Sequence, residues 1–265
     1  MNCPKCNHEN PEGAKFCSNC ATQLYQVCPS CNAINIPADA KFCPECGTII
    51  PSTPQKLNFQ VDGVPFNMIF VEHQSAPYYI GETPVTVALW NALMKEAKST
   101  EENDVITQYP FSPVILSTSA SSPFYNHPIT NVSIEDINCF ISKISNRLGE
   151  RFSLPSEEQW EFAAKGGVHT LGFTYAGSND IDNVAWCNRV MCTPNTSTTS
   201  VMSKKPNELG IYDMSGNVFE LCSNGIARGG SWKTYPIECT LKYRNQYPIK
   251  GDDLGFRLIM LQKRI

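Results

Sequence analysis

The chain has 265 residues, with 21 Lys and Arg against 25 Asp and Glu and a formal net charge of −4. That length holds one domain of ordinary size plus a small module, and without a basic excess there is no field to draw in nucleic acid. No apolar run is long enough for a bilayer, and Met1-Asn2-Cys3-Pro4 lacks the basic and apolar parts of a secretory signal, so no membrane partner and a cytoplasmic location are expected.

Eight of the thirteen cysteines lie in the first 46 residues as four Cys-x-x-Cys pairs. Cys3, Cys6, Cys17 and Cys20 form one set, and Cys28, Cys31, Cys43 and Cys46 repeat it. Each pair sits on a tight knuckle that points two thiolates at one ion, and two knuckles complete the tetrahedron of a closed zinc site. Two structural Zn2+ are therefore expected, supplying much of the folding energy of so small a unit. Ala14-Lys15-Phe16-Cys17 recurs as Ala40-Lys41-Phe42-Cys43, which sets an aromatic beside each third ligand. Redox Cys-x-x-Cys motifs need a surrounding βαβ pattern that is absent here. His8 has no partner histidine at ligand spacing and is read as a solvated loop residue. Residues 1–50 are similar to double zinc ribbons, and with three lysines against four acidic residues they suit protein contact better than nucleic acid. Residues 51–57, with Pro51 and Pro54, read as a stiff linker.

A second domain is expected over 58–265. Asn58 to Val71 reads as a strand pair bent at Gly63 and Pro65, with Phe66, Met68 and Phe70 on one face. Val87, Trp90 and Met94 predict a short helix within Thr86 to Ala97. Ser99 to Thr130, rich in Ser, Pro, Thr and Asn, predicts a long ordered surface loop tied down by Phe111, Val114, Ile115 and Leu116. Ser133 to Asp136 can cap a helix in which Ile134, Ile137, Ile141, Ile144 and Leu148 recur at three and four residues until Gly149. A second helix starts at Ser156, with Gln159 completing a capping box and Gly166-Gly167 ending it. Beyond it the chain predicts short strands and loops, with ten glycines in 167–265.

Arg151-Phe152-Ser153-Leu154-Pro155-Ser156 through Gly166-Gly167 resembles the formylglycine-generating enzyme family. So do Pro206 to Glu220, Arg228-Gly229-Gly230-Ser231-Trp232 and Gly255-Phe256-Arg257, which fall in family order over residues 58–262. The resemblance implies an α+β fold with a C-type-lectin-like core, few helices and much irregular chain, in which Trp160, Trp186 and Trp232 are mainly core residues.

Members of that family that convert a cysteine to formylglycine use a cysteine pair after the Gly-Gly-Ser-aromatic block to hold Cu(I), a soft ion suited to thiolates. Between Trp232 and Gly255 this chain has only Cys239, which falls by count where the family has a structural cysteine. No catalytic residue is assigned and copper is not expected. Cys187, Cys192 or Cys222 would have to supply a second ligand from elsewhere, and Cys222 is expected to lie near Cys239 instead. Histidines 8, 73, 127 and 169 are too scattered for an iron site, and no nucleophile-elbow signature appears.

Asp213 and Glu220 flank a Gly-Asn turn that can aim carbonyls at a hard cation. The resemblance implies Ca2+ on the side chains of Asp213 and Glu220 and the carbonyls of Gly216 and Val218, and a second calcium at Asn183 and Val184. Residues 233–254 then occupy the surface where the active site would lie. Lys233, Tyr235, Ile237, Lys242, Tyr243, Asn245, Gln246 and Tyr247 are the candidate ligand contacts, rigid rings for area and amides for adaptable hydrogen bonds. This layout is also similar to the variable proteins of diversity-generating retroelements, in which such a stretch is diversified for ligand binding.

The sequence therefore predicts a non-enzymatic ligand- or protein-binding protein, with a protein partner expected at the zinc module. The alternatives are a copper-dependent oxidase acting on protein cysteine, and a zinc-ribbon scaffold or regulator.

Overall fold

The computed structural model describes the chain apart from residues 1, 4–7, 12, 15–16, 20–23, 27, 29, 32, 34–35, 38–39, 49–55, 74, 95–123, 189–196, 247–249 and 262–265. The chain divides into two compact units, Met1–Pro54 and Gln55–Ile265.

In the first unit β1 (Tyr25–Gln26) pairs antiparallel with β2 (Ile36–Pro37). Its apolar content is two small clusters in which sulfur is the main constituent: Cys3 and Cys17 around Leu24, and Cys28 and Cys43 around Ile36. The aliphatic residue, not the aromatic, fills the second half, since Phe42 is 60% exposed. Phe16 lies outside the described residues.

The second unit opens with β3 (Lys56–Val61) and β4 (Val64–Val71), an antiparallel hairpin closed by Asp62 and Gly63, both at positive φ as a two-residue hairpin turn requires. Lys56 and Leu57, expected in the linker, are already strand. Then come β5 (Tyr78–Gly81), α1 (Val87–Met94), α2 (Ile134–Leu148), β6 (Phe152–Ser153) and α3 (Glu157–Ala164). β7 (Phe219–Leu221), β8 (Ile226–Arg228), β9 (Asn245–Gln246), β10 (Leu254–Gly255) and β11 (Ile259–Leu261) complete it.

Both α2 and α3 start at reciprocal capping boxes, Ser133 with Asp136 and Ser156 with Gln159, and Gly149 ends α2 in the left-handed conformation. Among the described residues after α3, the only helical pieces are 3-10 turns at Gly167–His169, Ile181–Asn183 and Pro236–Cys239. The expected loop members Phe111, Val114, Ile115 and Leu116 lie outside the described residues.

One sheet has the order β3-β4-β5-β11-β6, so a late strand is paired with two early ones. Period-two alternation sends its residues to two cores. Met68, Leu258 and Met260 join α1 and α2 on one face, where Trp90 stacks on Phe140 at 5.2 Å and Phe256 meets both rings edge-on. Ile69, Val71, Tyr78, Ile80 and Ile259 join Trp160 and Ala163 of α3 on the other. Phe66 packs with Met68 as expected, while Phe70 pairs with Tyr79 at 5.3 Å. The second sheet has the order β10-β7-β8-β9, with β10 parallel to β7 and β9 at its edge. This sheet carries the segment after Trp232.

Candidate functional site

The metal centre of the first unit follows from its knuckles. The amides of Ser30 and Cys31 donate to Cys28 Sγ at 3.4 and 3.5 Å, which turns the chain so that two sulfurs face inward. All four sulfurs of Cys28, Cys31, Cys43 and Cys46 lie within 4.8 Å of one another. The Cys28–Cys46 and Cys31–Cys43 sulfur distances are both 3.6 Å, close to the edge of a zinc–thiolate tetrahedron, about 3.8 Å for bonds of about 2.3 Å. Cys46 Sγ donates to Thr48 Oγ1 at 3.2 Å, and hydrogen bonding with Thr48 draws the Cys46 thiol down to about 6. In the other half Cys3 and Cys17 are buried together, Asn10 Nδ2 lies 3.6 Å from Cys17 Sγ, and Cys6 and Cys20 lie outside the described residues. His8 is exposed, with Nε2 3.1 Å from Ser18 Oγ.

The expected calcium ligands are differently employed. Glu220 is fully buried; its Oε1 accepts from Arg257 Nη2 at 2.6 Å, and its Oε2 accepts from Arg257 Nε at 2.9 Å and Trp160 Nε1 at 2.7 Å. Arg257 also donates to the carbonyls of Gly81 and Tyr212, so the pair ties β5, β7 and α3 together. Gly216 O accepts from the Val218 amide at 2.9 Å. Asp213, at φ +57, accepts from Met202 N and Asn217 Nδ2, and burial pushes its carboxyl above the usual range. In this arrangement a guanidinium faces the Glu220 carboxylate and the Gly216 carbonyl accepts one hydrogen bond within the turn. At the second expected site Asn183 donates its amide to Asp180 Oδ2, and its carbonyl accepts from Lys205 N. Among the described residues the one cluster of three or more metal-ligating side chains is the Cys28 group.

The segment expected to carry binding is fixed at both ends and open between. Gly230 (φ +72) turns the chain out of β8, and Ser231 Oγ donates to Asp253 Oδ2 at 2.7 Å. Fully buried Arg228 bonds Glu157 at 2.5 Å, Glu161 at 2.9 Å and the Leu241 carbonyl at 2.6 Å. Arg244 reaches the same Glu157 through Nε and Nη2. The hydrogen bond from Arg244, aided by Asn224 and Arg228, holds the Glu157 carboxyl down to about 2. Burial would raise Glu161, but Lys165 and Arg228 keep it below its ordinary value.

Between these anchors Tyr235 is 47% and Ile237 70% exposed. Lys233, Lys242 and Gln246 are exposed as well, with Lys233 bonded to Asp252 and lying 5.0 Å over the Trp232 ring. Tyr243 and Asn245 are half-buried, and Tyr243 spends its hydroxyl on Glu238 at 3.1 Å. Tyr247 lies outside the described residues.

Two further expectations are corrected. Trp160 is core, but Trp186 and Trp232 are half-exposed, each under a lysine, with Lys204 4.2 Å from the Trp186 centroid. Cys222 packs in the Trp160 cluster, whereas the neighbour of Cys239 is Cys187, in a separate cluster with Ile181, Val184 and Ala185. Sequence reasoning missed Arg228, Glu157 and Glu161 as anchors. The signal was present in the Arg228-Gly229-Gly230 block and in two acids four apart on one face of α3.

Among known proteins, the family described as sulfatase-modifying factor enzyme 1-like domain matches residues 67–261, and the double zinc ribbon family matches residues 3–47. Chaperone protein LppX of Paenibacillus barcinonensis is 34% identical over 136 residues, 41% of this chain and 49% of LppX, so the chain spans about half the length of that relative. The formylglycine-generating enzyme of Streptomyces coelicolor is 26% identical over 252 residues, covering 68% of this chain and 77% of the enzyme. The solved structure of Treponema denticola variable protein 1 superposes with a TM-score of 0.60 at 24% identity, covering 79% of this chain and all of that one, a likeness of fold. The family match spans most of the chain and contains both sheets apart from the first strand; the chain belongs to the sulfatase-modifying factor enzyme 1-like family and carries a double zinc ribbon ahead of that domain.

Proposed function

We propose that this protein binds a protein or other ligand without catalysis, through the segment 233–254, and that the zinc ribbon serves as its attachment module. The observation that carries the reading is the contrast within that segment. Tyr235 and Ile237 turn large apolar surface to solvent, while Ser231–Asp253, Arg228–Leu241 and Arg244–Glu157 hold the surrounding backbone. A pre-organised backbone lowers the ordering cost of binding, and exposed aromatic and aliphatic anchors supply most of an interface's energy. Diversification of residues 233–254 by a retroelement belongs to the same reading; a reverse transcriptase and a near-copy of codons 233–257 in adjacent DNA would support it.

The oxidase reading has one observation in its favour, the thiol of Cys187 beside Cys239. Against it stands access. Cys239 is fully buried, and the cavity of about 340 Å³ beside β4 and α1 and the open cleft beside Glu157 and Phe162 are lined by neither cysteine. The burial of the pair weighs against a copper site that must admit a substrate cysteine.

The test is site-specific photo-crosslinking from position 237 in cells, compared with position 42 on the ribbon and position 143 on the exposed face of α2. One dominant adduct from position 237, lost in Tyr235→Ser, supports the displayed surface. Adducts from position 42 alone would favour the scaffold reading and overturn this one.

A further inference from the structure

Cys187 and Cys239 are members of one buried cluster, and their side chains hydrogen-bond to each other. The backbone brings them there independently. Asn188 N donates to Thr234 O at 2.9 Å, which lays the residues around 187 beside the turn that leads into Cys239. Thr234 Oγ1 lies 3.6 Å from Cys239 Sγ, and Ser215 Oγ donates to the Cys239 carbonyl at 2.9 Å. Gly230 packs so closely that a Cβ there would sit 2.6 Å from the same sulfur. Cys239 is therefore held against Cys187 by main-chain contacts, and neither sulfur serves the zinc ribbon.

We propose that Cys187 and Cys239 form a redox modification site, in which a peroxide converts the two thiols reversibly into a disulfide that ties residues 186–188 to the Pro236–Cys239 turn. Cys187 is 6% exposed and Cys239 0%, so Cys187 meets the oxidant first. Its thiolate attacks the peroxide: an S–O bond forms, the O–O bond breaks, and the departing oxygen leaves as water after protonation. Cys239 sulfur then displaces the sulfenic oxygen. The S–S bond forms, the S–O bond breaks, and a second water carries off the Cys239 proton. Two thiols and one peroxide become one disulfide and two waters, with sulfur oxidised and peroxide oxygen reduced. The Cys187 hydrogen bond and burial hold the Cys239 thiol above its ordinary value, so it stays protonated until its neighbour has reacted.

The consequence falls on the displayed segment. The Pro236–Cys239 turn carries exposed Ile237 and follows exposed Tyr235, so the cross-link adds a covalent tie to a turn already held through the Cys239 carbonyl.

The test uses the full-length, zinc-loaded protein treated with hydrogen peroxide and digested without reduction. Mass spectrometry is expected to find a Cys187–Cys239 cross-linked peptide lighter by two hydrogens than its parts and abolished by dithiothreitol. Hydrogen exchange across 234–241 is expected to slow several-fold on oxidation. Cys187→Ser should remove the cross-link, and Cys222→Ser should keep it. Cys187 passing to sulfinic acid while Cys239 remains a thiol would overturn the proposal, as would a cross-link to Cys192 or Cys222 instead. The wild-type measurement decides without any variant having to fold. It also needs no ligand, so this site and the displayed-surface reading fail separately.

Discussion

Glu157 shows how one side chain holds a segment remote in sequence. Its carboxylate joins α3 to Arg228 of β8 and to Arg244 just ahead of β9. Because hydrogen bonding to Arg244 brings the folded carboxyl to about 2, below its unfolded value of about 4.3, the linkage has a definite sign. The stabilisation is fully present above the unfolded value and is lost as pH falls toward 2. Thermal melts of wild type and Glu157→Gln are therefore expected to differ most near neutral pH, with the gap closing between pH 4 and pH 2. A gap independent of pH would contradict the assignment. The same scale marks the limit of sequence reading: of the expected contacts Tyr235 and Ile237 are exposed, but Tyr243, equally aromatic, is half-buried and bonded to Glu238. Nothing in local composition separates the two; the pairing of β9 with β8 does.

At the scale of elements, what was legible is what depends on neighbours in sequence. Both helices appear where Ser133 and Ser156 cap them, and the first hairpin turns at Asp62-Gly63. Less legible were features set by partners far along the chain. The turn from Asp213 to Glu220 has the residue types of a calcium loop, and the guanidinium of Arg257 reaches its Glu220 from 37 residues away. Likewise Cys239 has Cys187 as neighbour because Asn188 bonds Thr234, and no spacing rule selects Cys187 over Cys222. Two outcomes follow for the Glu220 centre. Arg257→Met leaves a buried carboxylate without its partner and is expected to cost about 3–5 kcal/mol in denaturant unfolding, and millimolar calcium is expected to leave the melting temperature of the wild type unchanged. A calcium-induced rise of several degrees would restore the ion to that turn.

At the scale of the whole molecule, two units divide the labour by the way each is stabilised. Among its described residues the ribbon's buried apolar clusters hold only Leu24 and Ile36 beside cysteines, so its order is expected to depend on metal. The larger unit rests on a sheet covered on both faces. Metal analysis is expected to find two zinc ions per chain, falling to one in Cys28→Ser. Chelation is expected to abolish protection from proteolysis in residues 1–50 while the melting of 56–261 persists; joint loss of both would contradict independent stabilisation. No described helix is long and apolar enough to cross a membrane. The family was legible from its sequence blocks because these are the residues that build the core: Trp160 and Arg257 both bond Glu220, and Phe256 packs with Trp90 and Phe140. Function was less legible because the segment proposed to bind is the exposed stretch between those blocks.

The central claim, that this domain binds without catalysing, is tested most directly by incubating the zinc-loaded full-length protein with Cu(I), oxygen and a cysteine-containing sulfatase peptide, and assaying for aldehyde. No aldehyde above the protein-free control is predicted, whereas aldehyde formation that is lost in Cys239→Ser would contradict the claim and make Cys187 and Cys239 a catalytic pair.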